Sequence, residues 1–304
     1  AHASLAFETK AKAAFVIDVT SGTVLLAKEA DTPLPPASMS KLMTLYVAFE
    51  FIKAGKLKLE EKLPVSEHAA NYRGSTMFLT ETDRVSVDDL LRGIIVLSGN
   101  DACAVIAEAL SPDGTEAGFA KLMTQRAKQI GLKNSTFKNS NGWPANGHNM
   151  SVRDLGLLAE KLLSDFPEYY PMFAEQTYDF DGRAPANTRN RNPLLGLGIG
   201  ADGLKTGHTK EAGYGLVGSA KQDGRRIIFV LSGLNSLEER AQEAEAIVNW
   251  AFRQFVVKKF KTGGSEIGTA KVWNGSSRSV SLHIENDLNV MIPVLSSSEP
   301  SFSI

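Results

Sequence analysis

Pro36-Ala37-Ser38-Met39-Ser40-Lys41-Leu42-Met43-Thr44 is the stretch on which the reading of this chain turns. The proline pair closes an extended segment. Leu42, Leu45, Tyr46 and Phe49 then fall at helical spacing and predict a helix to about Lys53, with Gly55 as its C-cap. Ser38 is thereby placed at or just inside a helix N-terminus, with Lys41 on the same face at i+3. A serine hydroxyl is a poor nucleophile until a neighbouring base takes its proton. Lysine can be that base only if burial or another cation lowers its pKa. The free N–H groups of a helix start also favour negative charge on a serine oxygen or a bound oxyanion.

By itself the pattern is weak, since Ser-x-x-Lys arises about once by chance in a chain of this size. A second copy, Ser135-Thr136-Phe137-Lys138, lies among Gly131, Asn134, Asn139, Asn141 and Gly142, which read as loop. No helix begins there to fix the pair, so the decision rests on what completes a site around Ser38.

Composition narrows the classes. The 304 residues, 43% hydrophobic and 22% charged, suit one large domain with at most a small appendix. A formal net charge of -1 offers no basic field for nucleic acid. No apolar run approaches the ~20 residues of a membrane span. Cys103 is the only cysteine and reads as a small buried apolar residue, which excludes an intrachain disulfide or a thiolate cluster. His2, His68, His148, His208 and His283 show no metal-ligand spacing, so neither metal nor other cofactor is expected. The chain opens Ala1-His2-Ala3, which suits a mature chain after removal of a signal peptide.

Along the chain, Ala13–Val19 and Thr23–Ala27 read as a hairpin around Thr20-Ser21-Gly22. Helices are expected at 87–97, 101–110, 116–130 and 152–163, with a break at Ser98-Gly99-Asn100. Strand character returns at 176–180, 203–206, 214–220 and 227–233, and a last helix is expected over 237–257. The implied fold class is α/β (α+β): an antiparallel sheet built from both chain ends, flanked by helices and interrupted by a helical insert. Residues 1–257 would be the catalytic domain, and 258–304 the start of a small C-terminal β region.

Two further motifs could complete the site. Ser98-Gly99-Asn100 could aim a hydroxyl and an amide at a cleft, although a helix stop and N-cap would look the same. Lys205-Thr206-Gly207-His208-Thr209 lies on an expected strand, where lysine supplies a cation and the threonines can bond a carboxylate. Gly207 would let a substrate backbone approach. The second Lys-Thr-Gly, at Lys261-Thr262-Gly263, reads as a linker.

Ser-x-x-Lys, Ser-x-Asn and Lys-Thr-Gly in this order resemble the penicillin-recognising enzymes, whose usual second motif is Ser-Asp-Asn. The segments 37–44, 97–103 and 202–209, with Gly74–Leu79, Asn190–Asn192 and Trp250–Phe252, resemble the low-molecular-mass penicillin-binding proteins, serine-type D-alanyl-D-alanine carboxypeptidases. The resemblance covers about residues 8 to 260. It implies a penicillin-binding, β-lactamase-like fold and a peptidoglycan pentapeptide stem ending in D-Ala-D-Ala as substrate. β-Lactam antibiotics would be covalent inhibitors. Ser38 would be the nucleophile and Lys41 its base, with Lys205 helping to keep Lys41 neutral. Ser98 would relay a proton to the leaving amine, and Asn100 would hold Lys41 and the substrate amide. The N–H groups of Ser38 and His208 would form the oxyanion hole. Thr206, Gly207, Thr209, Arg191, Arg240 and Ser75 would bind substrate, with the terminal carboxylate on Thr206, Thr209, Arg191 and Arg240. The resemblance places the enzyme outside the cytoplasm, in the periplasm or on the outer face of the bacterial inner membrane. Membrane attachment would need the family's terminal amphipathic helix, a segment absent from this sequence.

Two rivals remain at this stage. A class A β-lactamase shares the nucleophile but uses a glutamate in a loop after the second motif. The corresponding loop here, Asn139 to Ser151, has no Glu or Asp, so slow antibiotic turnover is expected. A catalytically idle peptidoglycan-binding protein would not need Ser38, Lys41, Ser98, Asn100 and Lys205 all intact.

Overall fold

Six consecutive buried residues, Ala13–Asp18, form β1, which is what a strand covered on both faces requires. β2 (Thr23–Lys28) pairs with it, and a 3-10 turn at Ala37–Ser40 leads into α1 (Lys41–Lys53). The computed structural model describes residues 7–295. The opening residues that suit a cleaved leader, and 296–304 of the C-terminal region, lie outside them. Next come β3 (Lys62–Pro64), α2 (Glu67–Ala70), β4 (Arg84–Ser86), α3 (Val87–Arg92), α4 (Asn100–Leu110), α5 (Glu116–Gln129) and α6 (Val152–Asp165). The return meander is β5 (Ala201–Thr209), β6 (Gly213–Gln222) and β7 (Arg225–Leu234), closed by α7 (Leu237–Arg253). β8 (Phe255–Lys261), β9 (Glu266–Lys271), β10 (Ser279–His283) and β11 (Leu288–Pro293) follow.

The main sheet has the order β2-β1-β7-β6-β5, antiparallel throughout, so the two ends of the catalytic region meet where β1 pairs β7 with Phe15 opposite Val230. Alternation along the strands serves two cores. Phe15, Ile17, Ile228 and Val230 face the larger helical core, whereas Val16, Ile227, Phe229 and Leu231 pack with Ala244, Ile247, Val248 and Ala251 of α7. Each such side chain contributes about 1.5–3 kcal/mol on burial, and a one-residue register slip would exchange the two sets. Ser66, Ser86, Thr115, Ser151 and Ser236 cap their helices through the side-chain oxygen.

α1 is buried on all sides from Lys41 to Phe49. A helix placed centrally carries its first turn, and Lys41 with it, into the interior.

Three local expectations change. The strand expected at 176–180 reduces to a single bridge, Thr177 with Arg189, because this segment pairs only with its own return and Tyr178 anchors instead to Asp89 at 2.6 Å. The helix expected over 87–97 divides into α3 and a π-helical turn, Gly93–Leu97, which ends on Ser98. The last helix stops at Arg253, and Val256 and Val257 enter β8 opposite Ile292 and Met291, the extended state that β-branched residues favour. β8 therefore begins at Phe255, inside the span expected to be helical. No helix among the described residues is long and apolar enough to cross a membrane.

Candidate active site

Ser38 lies not in α1 itself but on the 3-10 turn that precedes it. Two close approaches hold that turn. Gly142, at φ 89, packs against the carbonyl of Ala37, where any Cβ would collide. A Cβ on Gly207 would come within 3.0 Å of Met39 Cγ and 3.1 Å of Pro36 O. The space Gly207 leaves open is thus taken by the nucleophile turn rather than by a substrate backbone. Ser40 adds a hydrogen bond to Ala37 O at 3.0 Å.

Lys41 is fully buried. Its Nζ lies 2.9 Å from Ser38 Oγ, 2.7 Å from Asn100 Oδ1 and 2.7 Å from the Asn141 carbonyl oxygen. The last two atoms can only accept. A neutral amine has two N–H bonds to give them, so its lone pair is left facing the Ser38 hydroxyl. Burial lowers the Lys41 pKa to about 8, with a smaller push from Arg191. The expected cause, repulsion from Lys205, gives way to desolvation.

Ser98 ends the π-helical turn in the left-handed conformation, φ 62 and ψ 35, a backbone state that costs roughly 1 kcal/mol. Its Oγ accepts from Lys205 Nζ at 2.9 Å, and Lys205 also reaches Thr206 O at 3.2 Å. Lys205 is likewise held well below the ordinary lysine pKa, by burial and then by Lys41. Asn100 completes the frame: its Nδ2 donates to Arg73 O at 2.7 Å, which fixes the amide with Oδ1 toward Lys41.

The cleft has two lobes that meet at Ser38. One, of about 280 Å³, is lined by Ser75, Ser98, Arg191, Thr206, His208, Tyr214 and Arg240 among others. Arg191 donates to Ser75 Oγ at 2.8 Å and to Leu97 O at 3.2 Å. Arg240 is buried, donates to Arg191 O at 3.3 Å and lies 5.8 Å from the Tyr214 ring centroid. Burial and the neighbouring Arg191 lower its pKa to about 10. The other lobe, about 310 Å³, includes Gly74, Asn100, Asn141, Trp143 and Thr209. Thr209 is therefore apart from the arginines, and its Oγ1 accepts from Ala212 N at 3.0 Å. The His208 ring, which has no partner legible in the sequence, stacks on Tyr214 at 3.9 Å.

Three contributors escape sequence reasoning. The Asn141 carbonyl is a backbone group and leaves no residue signature. Trp143 sits in a loop that reads only as polar turn, yet the residue lines the cleft and is 45% exposed. Glu116 reads as the first residue of a helix, but its carboxylate meets Ser140 behind the site. The decoys separate as well. Ser135 Oγ bonds Asp154 at 2.7 Å in the interior, and Gly263 N donates to Asp287 at 2.8 Å in the C-terminal region. His148, which shows no metal-ligand spacing in the sequence, is buried; its Nδ1 accepts from Lys138 N at 3.1 Å, and burial lowers its pKa to about 4.

A half-buried serine on a lysine, gripped between a helix, a strained turn and a sheet edge, defines a serine acyl-transfer hydrolase with lysine in the place of the base. Residues 1–236 match the D-alanyl-D-alanine carboxypeptidase family, peptidase S11, and the chain belongs to that family. It is a serine-type D-Ala-D-Ala carboxypeptidase by that membership. D-alanyl-D-alanine carboxypeptidase DacC of Escherichia coli is 39% identical over 292 residues, 93% of this chain and 71% of the relative. Penicillin binding protein 5 from Haemophilus influenzae superposes with a TM-score of 0.83 at 34% identity, covering 96% of this chain and 85% of that one. Penicillin-Binding Protein D2 from Listeria monocytogenes, in an ampicillin-bound form, does so with a TM-score of 0.72 at 33% identity, over 81% and 99% of the two chains.

Proposed function

We propose that this enzyme removes the terminal D-alanine from peptidoglycan pentapeptide stems through an acyl-enzyme on Ser38, and that β-lactams acylate the same oxygen. The observation that carries the reading is the Lys41 amine 2.9 Å from Ser38 Oγ while its remaining partners, Asn100 Oδ1 and Asn141 O, are pure acceptors. Ser38 Oγ attacks the penultimate carbonyl carbon as its proton passes to Lys41. The N–H groups of Ser38 and His208 take the oxyanion. When the C–N bond breaks, Ser98, whose hydroxyl is backed by Lys205 at 2.9 Å, relays to the leaving amine the proton that Lys41 took from Ser38, which returns Lys41 to the neutral amine and Ser98 to the hydroxyl. Asn100 holds Lys41 and the substrate amide. Arg191, Arg240 and Thr206 bind the carboxylate of the departing D-alanine. Ser75 positions Arg191, Gly207 admits the nucleophile turn, and Thr209 lines the acyl side. Water then attacks the ester, with neutral Lys41 again as base.

This machinery is assigned to residues 1–257, and 258–304 to a separate β region. Work on peptidoglycan places the enzyme outside the cytoplasm, and we read the periplasm or the outer face of the inner membrane as its site. A β-lactamase reading is disfavoured because no carboxylate lines either lobe.

Brief exposure to a fluorescent penicillin should give one adduct by intact mass, absent in Ser38→Ala. A diacyl-D-Ala-D-Ala peptide should release D-alanine. A wild-type protein that takes no label, or a Ser38→Ala protein that keeps it, removes the reading.

A further inference from the structure

Glu116 opens α5 but does not serve the helix: Thr115 Oγ1 already caps it by accepting from Gly118 N at 3.0 Å. The carboxylate is only 7% exposed, and it lines neither lobe of the cleft. Its Oε1 accepts from Ser140 N at 2.9 Å and Ser140 Oγ at 2.6 Å, with Asn141 Nδ2 at 3.5 Å. Its Oε2 accepts from Tyr72 OH at 2.7 Å and lies 2.6 Å from His68 Nε2. Burial opposes its charge, but the donations from Ser140, His68 and Tyr72 prevail and keep its pKa below the usual carboxylate value.

The residues tied to Glu116 on one side are tied to α1 on the other. Ser140 O accepts from Thr44 Oγ1 at 2.5 Å, and Asn141 O accepts from Lys41 Nζ at 2.7 Å. Two successive carbonyls thus point at the catalytic helix while the same two residues are anchored to one buried carboxylate. The direction of the Lys41 lone pair depends on where the Asn141 carbonyl sits. Should that carbonyl move, the amine is free to turn its lone pair off Ser38.

We propose that Glu116 is a positioning residue: it fixes the Ser140–Asn141 segment so that the Asn141 carbonyl takes one Lys41 N–H and the lone pair stays on the Ser38 hydroxyl. This rests on the reading of Ser38 and Lys41 given above. The charged and titratable groups that face Lys41 are Cys103, Arg191, Asp101, Glu116, His148 and Lys205; those that face Glu116 are His68, Tyr72, Lys41, Cys103 and His148.

Glu116→Gln keeps the size and loses the charge. Acylation by a fluorescent penicillin should slow by about tenfold to a hundredfold, the scale of a misdirected reacting group. In the peptide assay, kcat should fall with KM nearly constant. The acid limb of the rate profile should move to lower pH, because a negative charge that favours the Lys41 ammonium is gone. Ser140→Ala, which removes the 2.6 Å link alone, should show a smaller loss in kcat and serves if Glu116→Gln does not fold. Wild-type rates and an unmoved acid limb in folded Glu116→Gln, or in Ser140→Ala where only that protein folds, overturn the proposal. So does a rate loss that merely follows a lower Tm with the limb unmoved. Wild-type labelling, run beside each variant, separates these results from failure of the serine reading itself.

Discussion

The two lobes of the cleft share Ser38, Ser75 and His208, yet they are chemical opposites. The leaving-group side presents Arg191 and Arg240, whose hydrogen-bond partners are neutral: Ser75 Oγ, Leu97 O and Asn187 Oδ1 for the first, and Arg191 O for the second. The acyl side has no charged side chain and offers Trp143, Gly74 and Asn141. Two guanidiniums close together without a carboxylate between them repel, and a bound anion relieves that cost. On the proposed reading, the contrast has one half of the substrate chosen by charge and the other by shape. Cleavage at a chain end follows, since only a terminal residue brings a free carboxylate.

The largest effect should come from the group that serves both lobes equally. Lys41→Ala should lower acylation by peptide and by penicillin alike, by about 10²–10⁴-fold, the usual worth of a general base. The pH dependence has a definite sign. Burial lowers the Lys41 pKa from 10.5 to about 8, so the neutral amine is lost as pH falls through about 8 and gained as it rises. Acylation rates measured from pH 5 to 10 should therefore climb through that region. A limb at the ordinary lysine value would break the argument.

Much of this was legible before any coordinates. The i,i+3 placement of Ser38 and Lys41 needs only helical spacing, and it survives the change from a helix start to a 3-10 turn because both conformations bring such residues together. β1 and β2 were readable from apolar runs, and the meeting of β1 with β7 follows from having strands at both ends of the chain. The end of α7 was misplaced because Val256 and Val257 fit a helical apolar pattern as well as a strand, and only pairing with β11 decides between them. Gly207 reads in the sequence as room for a substrate backbone, since no sequence shows that the nucleophile turn lies beneath it. Glu116 and the Asn141 carbonyl were invisible because their partners are remote in sequence or belong to the backbone.

Next in size is the test of charge recognition. Arg191→Ala should reduce kcat/KM for peptides with a free terminal carboxylate by about tenfold to a hundredfold, the worth of a charge-assisted hydrogen bond. The same peptide with an amidated terminus, a poor substrate from the start, should lose much less. The ratio between acid and amide is the sharp measurement. If both fall together, Arg191 acts only by holding Ser75 and Leu97 in place, and the two lobes are less distinct than described.

The smallest effect belongs to the neutral side. The Trp143 backbone is fixed by Asn139 Nδ2 donating to its carbonyl at 2.9 Å and by its own N–H donating to Asn141 Oδ1 at 2.9 Å. The missing Cβ of Gly74 leaves the indole edge where a side chain would otherwise sit 3.4 Å away. With 45% of the residue exposed, truncation removes contact area more than core packing. Trp143→Ala should raise KM for a stem peptide about fivefold, or about 1 kcal/mol of apolar contact, with kcat and Tm nearly constant. The acid-to-amide ratio should not move, because the charge is read on the other side of Ser38. A Trp143→Ala enzyme that lost that ratio would show the lobes to be coupled, and a single shape-and-charge pocket would then describe the cleft better than two.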